Sequence, residues 1–337
     1  IIDYVYTFTN LNKVTTSSGS DATYTTVPRE IDASIVGKNY HVIVIANADD
    51  MTSRCKGKIS EVRDLQMSKV CIMSSKTDAM IDFTKEGSET DPYVVDVNIE
   101  RLAARIDIIP NATFDGTSHG YYYNVMDGTN VIGGFKLESV TPTKVMTKGE
   151  YLIKRVSSDK DVSSVTYFGL EDKDADNKAT NYVVCPWTKV RTGLTLSNAE
   201  GPASLYNVKN TTSTSTTDPS YILDYVMENT TTDNAETYST GLVFKGKYYE
   251  AEDWDAAKKE PITGHESKGK DKAYTYVIRH SDPTGNGTTN DIMHYGIVRN
   301  NIYRVRIDGI TGKGPDGMKV TLHVRKWATY THDETTM

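Results

Sequence analysis

Apolar and polar residues alternate along many short segments of this chain, which is the pattern of half-buried β-strands. In the opening segment every even-numbered position from Ile2 to Phe8 is apolar, so residues 1–9 are predicted to form a strand. Few segments have helical spacing; short helices are predicted only around 59–67 and 248–259. On the same grounds, further strands are predicted at Tyr40–Ala46, Tyr93–Ile99, Ile106–Ile108, Phe135–Val140, Tyr182–Val184, Tyr221–Met227, Gly241–Tyr249, Tyr274–Arg279, Ile302–Ile310 and Lys319–Val324.

Many short strands separated by turn residues indicate an all-β protein, with two tandem β-sandwich domains and a few short helices. The interval 157–181 is polar and contains the acidic run Glu171–Asp176. Polar segments of this kind usually connect domains. The predicted domains are therefore 1–165 and 166–337.

Composition supports a β protein and excludes some functions. The chain has 22 Tyr against 6 Phe, and aromatic residues suit pleated, half-buried surfaces. Its net charge of −7 argues against a nucleic-acid partner. No stretch has the roughly 18 apolar residues of a transmembrane helix. Cys55, Cys71 and Cys185 form no CxxC pair; we expect no disulfide, with a Cys55–Cys71 bridge as the alternative.

No motif of nucleophilic catalysis or phosphate binding is present, so neither an enzyme nor a cofactor is predicted. A surface glycan hydrolase stays open as an alternative, since it needs only two facing carboxylates. Asp172, Asp174 and Asp176 begin like a calcium loop, but Asn177 and Val183 stand where glycine and a bidentate glutamate are expected. A solvated acidic linker is the preferred interpretation, and no metal is predicted.

Aromatic residues offer a second binding hypothesis. Trp187, Trp254 and Trp327, together with Tyr121–Tyr123, are candidates for a platform on which sugar rings stack. Residues so dispersed more often belong to a core or to a sheet surface. A free carbohydrate-binding protein is therefore an alternative function rather than the main one.

Several segments are more specific than composition. They are IERLAARIDI, YVMENT, YTYVIRH, MHYGIVRNNIYRVRIDGITGKG and VTLHVRKW, beginning at Ile99, Tyr225, Tyr274, Met293 and Val320. In this order they resemble the Mfa1-type fimbrillins, the type V pilus subunits of Bacteroidetes. The resemblance implies two transthyretin-like β-sandwiches, export through the periplasm as a lipoprotein precursor, and a place in a surface fimbria anchored at the outer membrane.

The resemblance also implies assembly by β-strand exchange, supporting adhesion and biofilm formation. In such subunits a protease removes a leading strand, and a strand from a neighbouring subunit fills the groove. Here no leading strand, lipobox Cys or cleavage Arg precedes Ile1, so Ile1 is expected to be either the processed end or a point at which a longer chain was cut. The implied partners are other copies of the chain, minor pilus subunits, and a host or bacterial surface ligand.

Two segments are the candidates for this exchange. Tyr4, Tyr6 and Phe8 are expected to line the acceptor groove, because the chain begins inside a strand whose neighbour is missing. The candidate donor is the alternating C-terminal segment, whose phase breaks near Trp327; its apolar residues are Val320, Leu322, Val324, Trp327 and Tyr330. An ordinary strand closing its own domain is the alternative for this segment. A tip or anchor subunit, which needs only the acceptor, is the alternative role.

Overall fold

A computed structural model of the chain contains nineteen strands among the residues that it describes, and its only helices there are short 3₁₀ turns. The described residues are 5–9, 11–14, 23–31, 33–47, 72–75, 79–84, 87–111, 121–145, 194–195, 207–208, 220–227, 239–280 and 296–326. The strands are β1 (Leu11–Val14), β2 (Thr23–Thr26), β3 (Asn39–Val42), β4 (Ile45–Ala46), β5 (Met73–Ser75), β6 (Ala79–Asp82), β7 (Ile99–Arg101), β8 (Ala103–Ile109), β9 (Tyr121–Asp127), β10 (Asn130–Thr143), β11 (Leu194–Thr195), β12 (Asn207–Val208), β13 (Ser220–Met227), β14 (Gly241–Glu250), β15 (Trp254–Asp255), β16 (Glu260–Pro261), β17 (Lys270–Val277), β18 (Asn301–Thr311) and β19 (Met318–Lys326). The 3₁₀ turns are Ala33–Ile35, Ala251–Asp253 and Glu266–Lys268. The all-β prediction is confirmed.

The strands fall into two compact units. One contains the described residues up to Ala103, and the other contains those from Ala104 onward. The predicted domain limits, 1–165 and 166–337, stay a prediction, since the whole interval 157–181 lies outside the described residues. Among the described strands, β8, β9 and β10 pair with strands from the second half of the chain.

The second unit is organised around β18. This strand pairs antiparallel with β19 along nearly its whole length, parallel with β8 at Ile302–Arg306, and parallel with β9 at Ile310–Thr311. A strand has only two hydrogen-bonding edges, so β8 and β9 must follow one another along the edge opposite β19. The sheet therefore divides at this point into β12-β13-β8-β18-β19 and β9-β10-β14-β17, with β11 beside β10.

One hydrophobic core joins these two parts. It takes Ile106 and Val305 from the first part and Phe135 and Phe244 from the second, all fully buried. The Phe135 ring meets Tyr274 edge-on, with centroids 5.0 Å apart. Side chains of both inner faces thus interdigitate in one layer, which is the arrangement of a β-sandwich.

The described part of the first unit consists of small sheets. Their strand orders are β1-β2, β3-β6 and β4-β5-β7. The predicted strand Tyr40–Ala46 is here divided between β3 and β4, and its apolar residues are half-buried rather than covered on both faces. Of the predicted strand Tyr93–Ile99, only Ile99 belongs to a strand. Both differences reduce the apolar surface that this unit buries.

Other predictions have mixed outcomes. The predicted strands at Tyr221–Met227, Gly241–Tyr249 and Ile302–Ile310 agree with β13, β14 and β18 to within a residue or two. The helix predicted around 248–259 was wrong apart from the short turn Ala251–Asp253, because β14 continues to Glu250. The predicted helix at 59–67, the strand Tyr182–Val184 and the three cysteines lie outside the described residues.

Candidate assembly site

The segment 5–9, at the start of the described chain, belongs to no strand of the structure, contrary to the strand predicted over 1–9. Tyr6 is half-buried, whereas Phe8 is 40% exposed. Phe8 is thus less covered than the apolar residues of 42–45, which are half-buried. Tyr4 lies outside the described residues. The acceptor assignment of Tyr4, Tyr6 and Phe8 stays a prediction.

Further apolar side chains are exposed close to this segment along the chain. Leu11 in β1 is 50% exposed, and Tyr24 in β2 and Val27 just after it are each 53% exposed. β1 and β2 pair only with each other among the described strands, with Leu11 opposite Thr26. A two-stranded ribbon is marginally stable by itself, so this hairpin is suited to gaining a further partner.

Arg29 connects the end of this region to the segment 5–9. Its Nη1 donates a hydrogen bond to the carbonyl oxygen of Thr7 at 3.0 Å. Its guanidinium carbon lies 5.3 Å from the centroid of the Tyr6 ring and 5.9 Å from that of Phe8. No sequence pattern pointed to Arg29, because a single arginine after a proline has no periodic signal.

The C-terminal candidate lies in β19, which occupies the edge position beside β18. Leu322 is 2% exposed, and Val320 and Val324 are half-buried against the core. On the opposite face, Lys319 and His323 are exposed and Thr321 is half-buried. In this structure the segment is thus an ordinary strand of its own sandwich, which was the alternative interpretation. Trp327 and Tyr330 lie outside the described residues, so the donor assignment stays a prediction.

The predicted sugar platform is not supported by its described members. Trp254 is 4% exposed, and Tyr121 and Tyr123 are 3% and 6% exposed. The Trp254 ring lies over Gly134, stacks on Tyr249 with centroids 5.8 Å apart, and donates from Nε1 to Asn124 Oδ1 at 2.8 Å. Tyr122, the remaining described member, is half-buried, and its ring centroid lies 6.0 Å from that of Trp254. These rings pack against the sheet and against one another rather than forming an exposed platform. Trp187 and Trp327 lie outside the described residues.

The described residues contain neither a metal-binding cluster nor a membrane-spanning helix. Asp172, Asp174 and Asp176, the calcium candidates, lie outside the described residues. Within the described ranges, no group of three or more His, Cys, Asp or Glu side chains is arranged to hold a metal ion. The same ranges contain no helix long and apolar enough to cross a membrane.

Buried polar groups stabilise particular conformations in the second unit. Arg105 and Asp107, both fully buried, pair through Nε and Oδ1 at 2.9 Å, and Arg304 Nε approaches Asp107 Oδ2 at 3.5 Å. Near the start of β18, the Tyr303 hydroxyl accepts from the Val298 amide at 2.6 Å and hydrogen-bonds His280 Nδ1 at 2.7 Å. A buried polar or charged group that loses its partner lowers the stability of the fold. Because a shift of β18 along its neighbours would separate these partners, both clusters favour a single register of β18.

A surface network stabilises the end of β14. Lys313 Nζ contacts Glu250 Oε2 at 2.7 Å, and Lys270 Nζ contacts Glu250 Oε1 at 3.2 Å. The hydrogen bond from Lys313 is the main cause that lowers the pKa of Glu250, and the pKa of Lys313 is raised in turn. The network of Glu250, Lys270 and Lys313 stabilises the loop between β18 and β19.

Burial raises the pKa of the nearby Tyr274 to about 12.

Comparison with known families gives one match. Residues 268–319 match the family described as "Major fimbrial subunit protein type IV, Fimbrillin, C-terminal". The match spans β17, β18 and the first residues of β19, and it contains two of the segments that carried the resemblance, YTYVIRH and MHYGIVRNNIYRVRIDGITGKG. No curated protein matches the sequence.

Solved structures with partial similarity to this chain include two from Porphyromonas gingivalis and one from Bacteroides eggerthii. The fimbrilin FimA of Porphyromonas gingivalis W83 is 16% identical, with 86% of this chain and 80% of that chain covered and a TM-score of 0.39. A putative cell adhesion protein of Bacteroides eggerthii is 12% identical, with coverages of 85% and 77% and a TM-score of 0.40. The tip fimbrial protein Mfa3 of Porphyromonas gingivalis, truncated at its C-terminus, is 14% identical, with a TM-score of 0.32; 76% of this chain is covered, and the chain spans 64% of that structure.

The family match identifies what one region of the chain is similar to. Fimbrillins are structural subunits, which agrees with the prediction that the chain is not an enzyme. Residues 268–319, around the central strand of the sandwich in the second unit, match the C-terminal region of the fimbrillins, and the resemblance to that family is confirmed for this part of the chain.

Proposed function

We propose that the chain is a structural subunit of a bacterial surface fimbria that polymerises by β-strand exchange between copies of itself. The observation that carries the proposal is the match of residues 268–319 to the C-terminal region of the fimbrillins. Exposed apolar residues in the first unit and an edge strand at the end of the second support the mode of assembly. Minor subunits, a role in adhesion and biofilm, and attachment at the outer membrane belong to the same proposal.

The first unit offers the acceptor. Phe8, Leu11, Tyr24 and Val27 are 40–53% exposed, and the segment 5–9 belongs to no strand. A strand added beside this segment supplies backbone partners and covers alternate side chains. Burying the exposed half of four such side chains contributes on the order of 4 kcal/mol, at about 1 kcal/mol each.

The second unit offers the donor. Among the described strands β19 pairs only with β18, which it follows along the chain, so it can leave without threading another described segment. Leaving breaks its backbone pairing with β18 and exposes Leu322, which is 2% exposed in place. Pairing in a neighbouring subunit forms the same kinds of contact again, which is why exchange of identical elements costs little overall.

A reversible cross-link provides the test. Arg306 and Thr321 are direct partners in the β18–β19 ladder, and both are half-buried. Cysteines at both positions, Arg306→Cys with Thr321→Cys, lie at a distance that a disulfide spans. When oxidised, the double variant holds β19 in its own sheet. We expect no fibres by electron microscopy, and fibres of ordinary length after reduction.

The reduced double variant is the matched control, because its sequence is the same and only the bond differs. Fibres of ordinary length from the oxidised protein would exclude β19 as the donor. If the oxidised protein instead terminates fibres formed by the wild type, it still accepts a strand while donating none. A tip or anchor subunit has that property, so this outcome separates the two halves of the mechanism.

A further inference from the structure

Arg29 makes contacts that a neighbouring β-strand would otherwise make with the segment 5–9. The carbonyl oxygen of Thr7 is a backbone acceptor, and in a sheet such a group accepts from the amide of the adjacent strand. Here it accepts from Arg29 Nη1 at 3.0 Å. The Arg29 side chain thus donates the hydrogen bond that the backbone amide of an adjacent strand would donate to Thr7.

The same guanidinium also covers the aromatic side chains of this segment. It lies 5.3 Å from the Tyr6 centroid and 5.9 Å from the Phe8 centroid. Arginine combines a planar face that stacks on aromatic rings with several N–H donors, whereas lysine has only a compact ammonium. One side chain therefore contacts both the backbone and the apolar face that a donated strand would cover.

We infer that Arg29 is a placeholder, which holds residues 5–9 in the isolated subunit and is displaced when a strand from a second copy binds. The inference rests on the proposed function and names a residue that regulates it. Arg29 is itself exposed, and exposed cation–π contacts are weak. Arg29 therefore covers the segment 5–9 with weak contacts, which the backbone hydrogen bonds and apolar contacts of an incoming strand can replace.

The test measures how a donor peptide binds to the full-length chain. The probe is a fluorescein-labelled peptide with the sequence of residues 318–330, MKVTLHVRKWATY, and binding is followed by fluorescence anisotropy. We expect Arg29→Ala to bind it about five to ten times more tightly than the wild type, the scale of one or two exposed cation–π contacts. Arg29→Lys is expected to lie between them, since it keeps the charge but loses the planar stack.

Arg306→Ala is the control, because it also removes an arginine charge at the surface but lies in the second unit, where the half-buried Arg306 pairs with Asp308. Its affinity for the peptide should equal that of the wild type. Equal or weaker binding by Arg29→Ala would overturn the placeholder role and leave strand exchange intact. Absence of binding to every variant would instead overturn the acceptor that the proposed function requires, and the placeholder with it.

Discussion

The contact between Gly134 and Trp254 allows a sharp test of the packing in the second sandwich. Gly134 lies in β10 directly beneath the indole ring, which is 4% exposed. A Cβ built at this position would lie 1.9 Å from the ring atom Cδ2. Restoring an ordinary contact of 3.4 Å would require the ring to retreat by about 1.5 Å, the difference between the two distances. Gly134→Ala is therefore expected to displace Trp254.

The displacement has two costs that the structure identifies. The hydrogen bond from Trp254 Nε1 to Asn124 Oδ1, now 2.8 Å, would lengthen or break, at about 0.5–1.5 kcal/mol. The stack between Trp254 and Tyr249 would also be lost, at about 0.5–1.5 kcal/mol. Together these lower the free energy of unfolding by about 2 kcal/mol, within the usual range for an overpacked site.

Urea denaturation followed by circular dichroism measures this change. Gly309→Ala is the matched control, since a Cβ there would meet nothing within 4 Å and the residue also lies in a strand. Its effect should remain within about 0.5 kcal/mol of the wild type. If Gly134→Ala unfolds at the wild-type urea concentration with an unchanged slope, the close packing of Trp254 on β10 is refuted.

Two further predictions concern the same unit. Tyr303→Phe leaves His280 without its hydroxyl partner and should cost about 1–3 kcal/mol in urea denaturation, whereas Tyr274→Phe, whose hydroxyl makes only a 3.5 Å contact, should cost much less; equal costs would contradict the hydrogen-bond assignment. The lowered pKa of Glu250 beside Lys313 gives stability that is present above the ordinary pKa of a glutamate and is lost as the pH falls through the lowered value. Glu250→Gln should therefore be less stable than the wild type at pH 7 by about 0.5 kcal/mol, and the difference should shrink in acid; a difference that does not change with pH would refute this origin.

The alternation of apolar and polar residues was sufficient to predict most of the described strands of the second unit. Ile302–Ile310 and Lys319–Val324 alternate strongly, and side chains that alternate between a core and solvent impose that period on the sequence. The hairpin of β9 and β10 was not predicted as a pair of strands, although Gly128, with a positive φ, opens its two-residue turn and glycine there is a hairpin signal.

The first unit was harder to predict from pattern. Residues 1–9 alternate as well as any later strand, yet residues 5–9 belong to no strand in the structure. Alternation shows only that a segment is able to pair, because the pairing itself needs a partner strand beside it. The contact of Arg29 with Tyr6 and Phe8 had no sequence signal for the same reason, since it joins residues more than twenty positions apart.

The sequence by itself determined the all-β class, the strand period and the fimbrillin resemblance, since each depends on residues that are neighbours along the chain. Only the tertiary structure decided that β8 lies parallel to β18, from opposite halves of the chain. It also decided that Arg105 and Asp107, the polar members of an alternating strand, are fully buried. Burial depends on what covers a face, and charges enter an interior only where oppositely charged partners meet them across the fold.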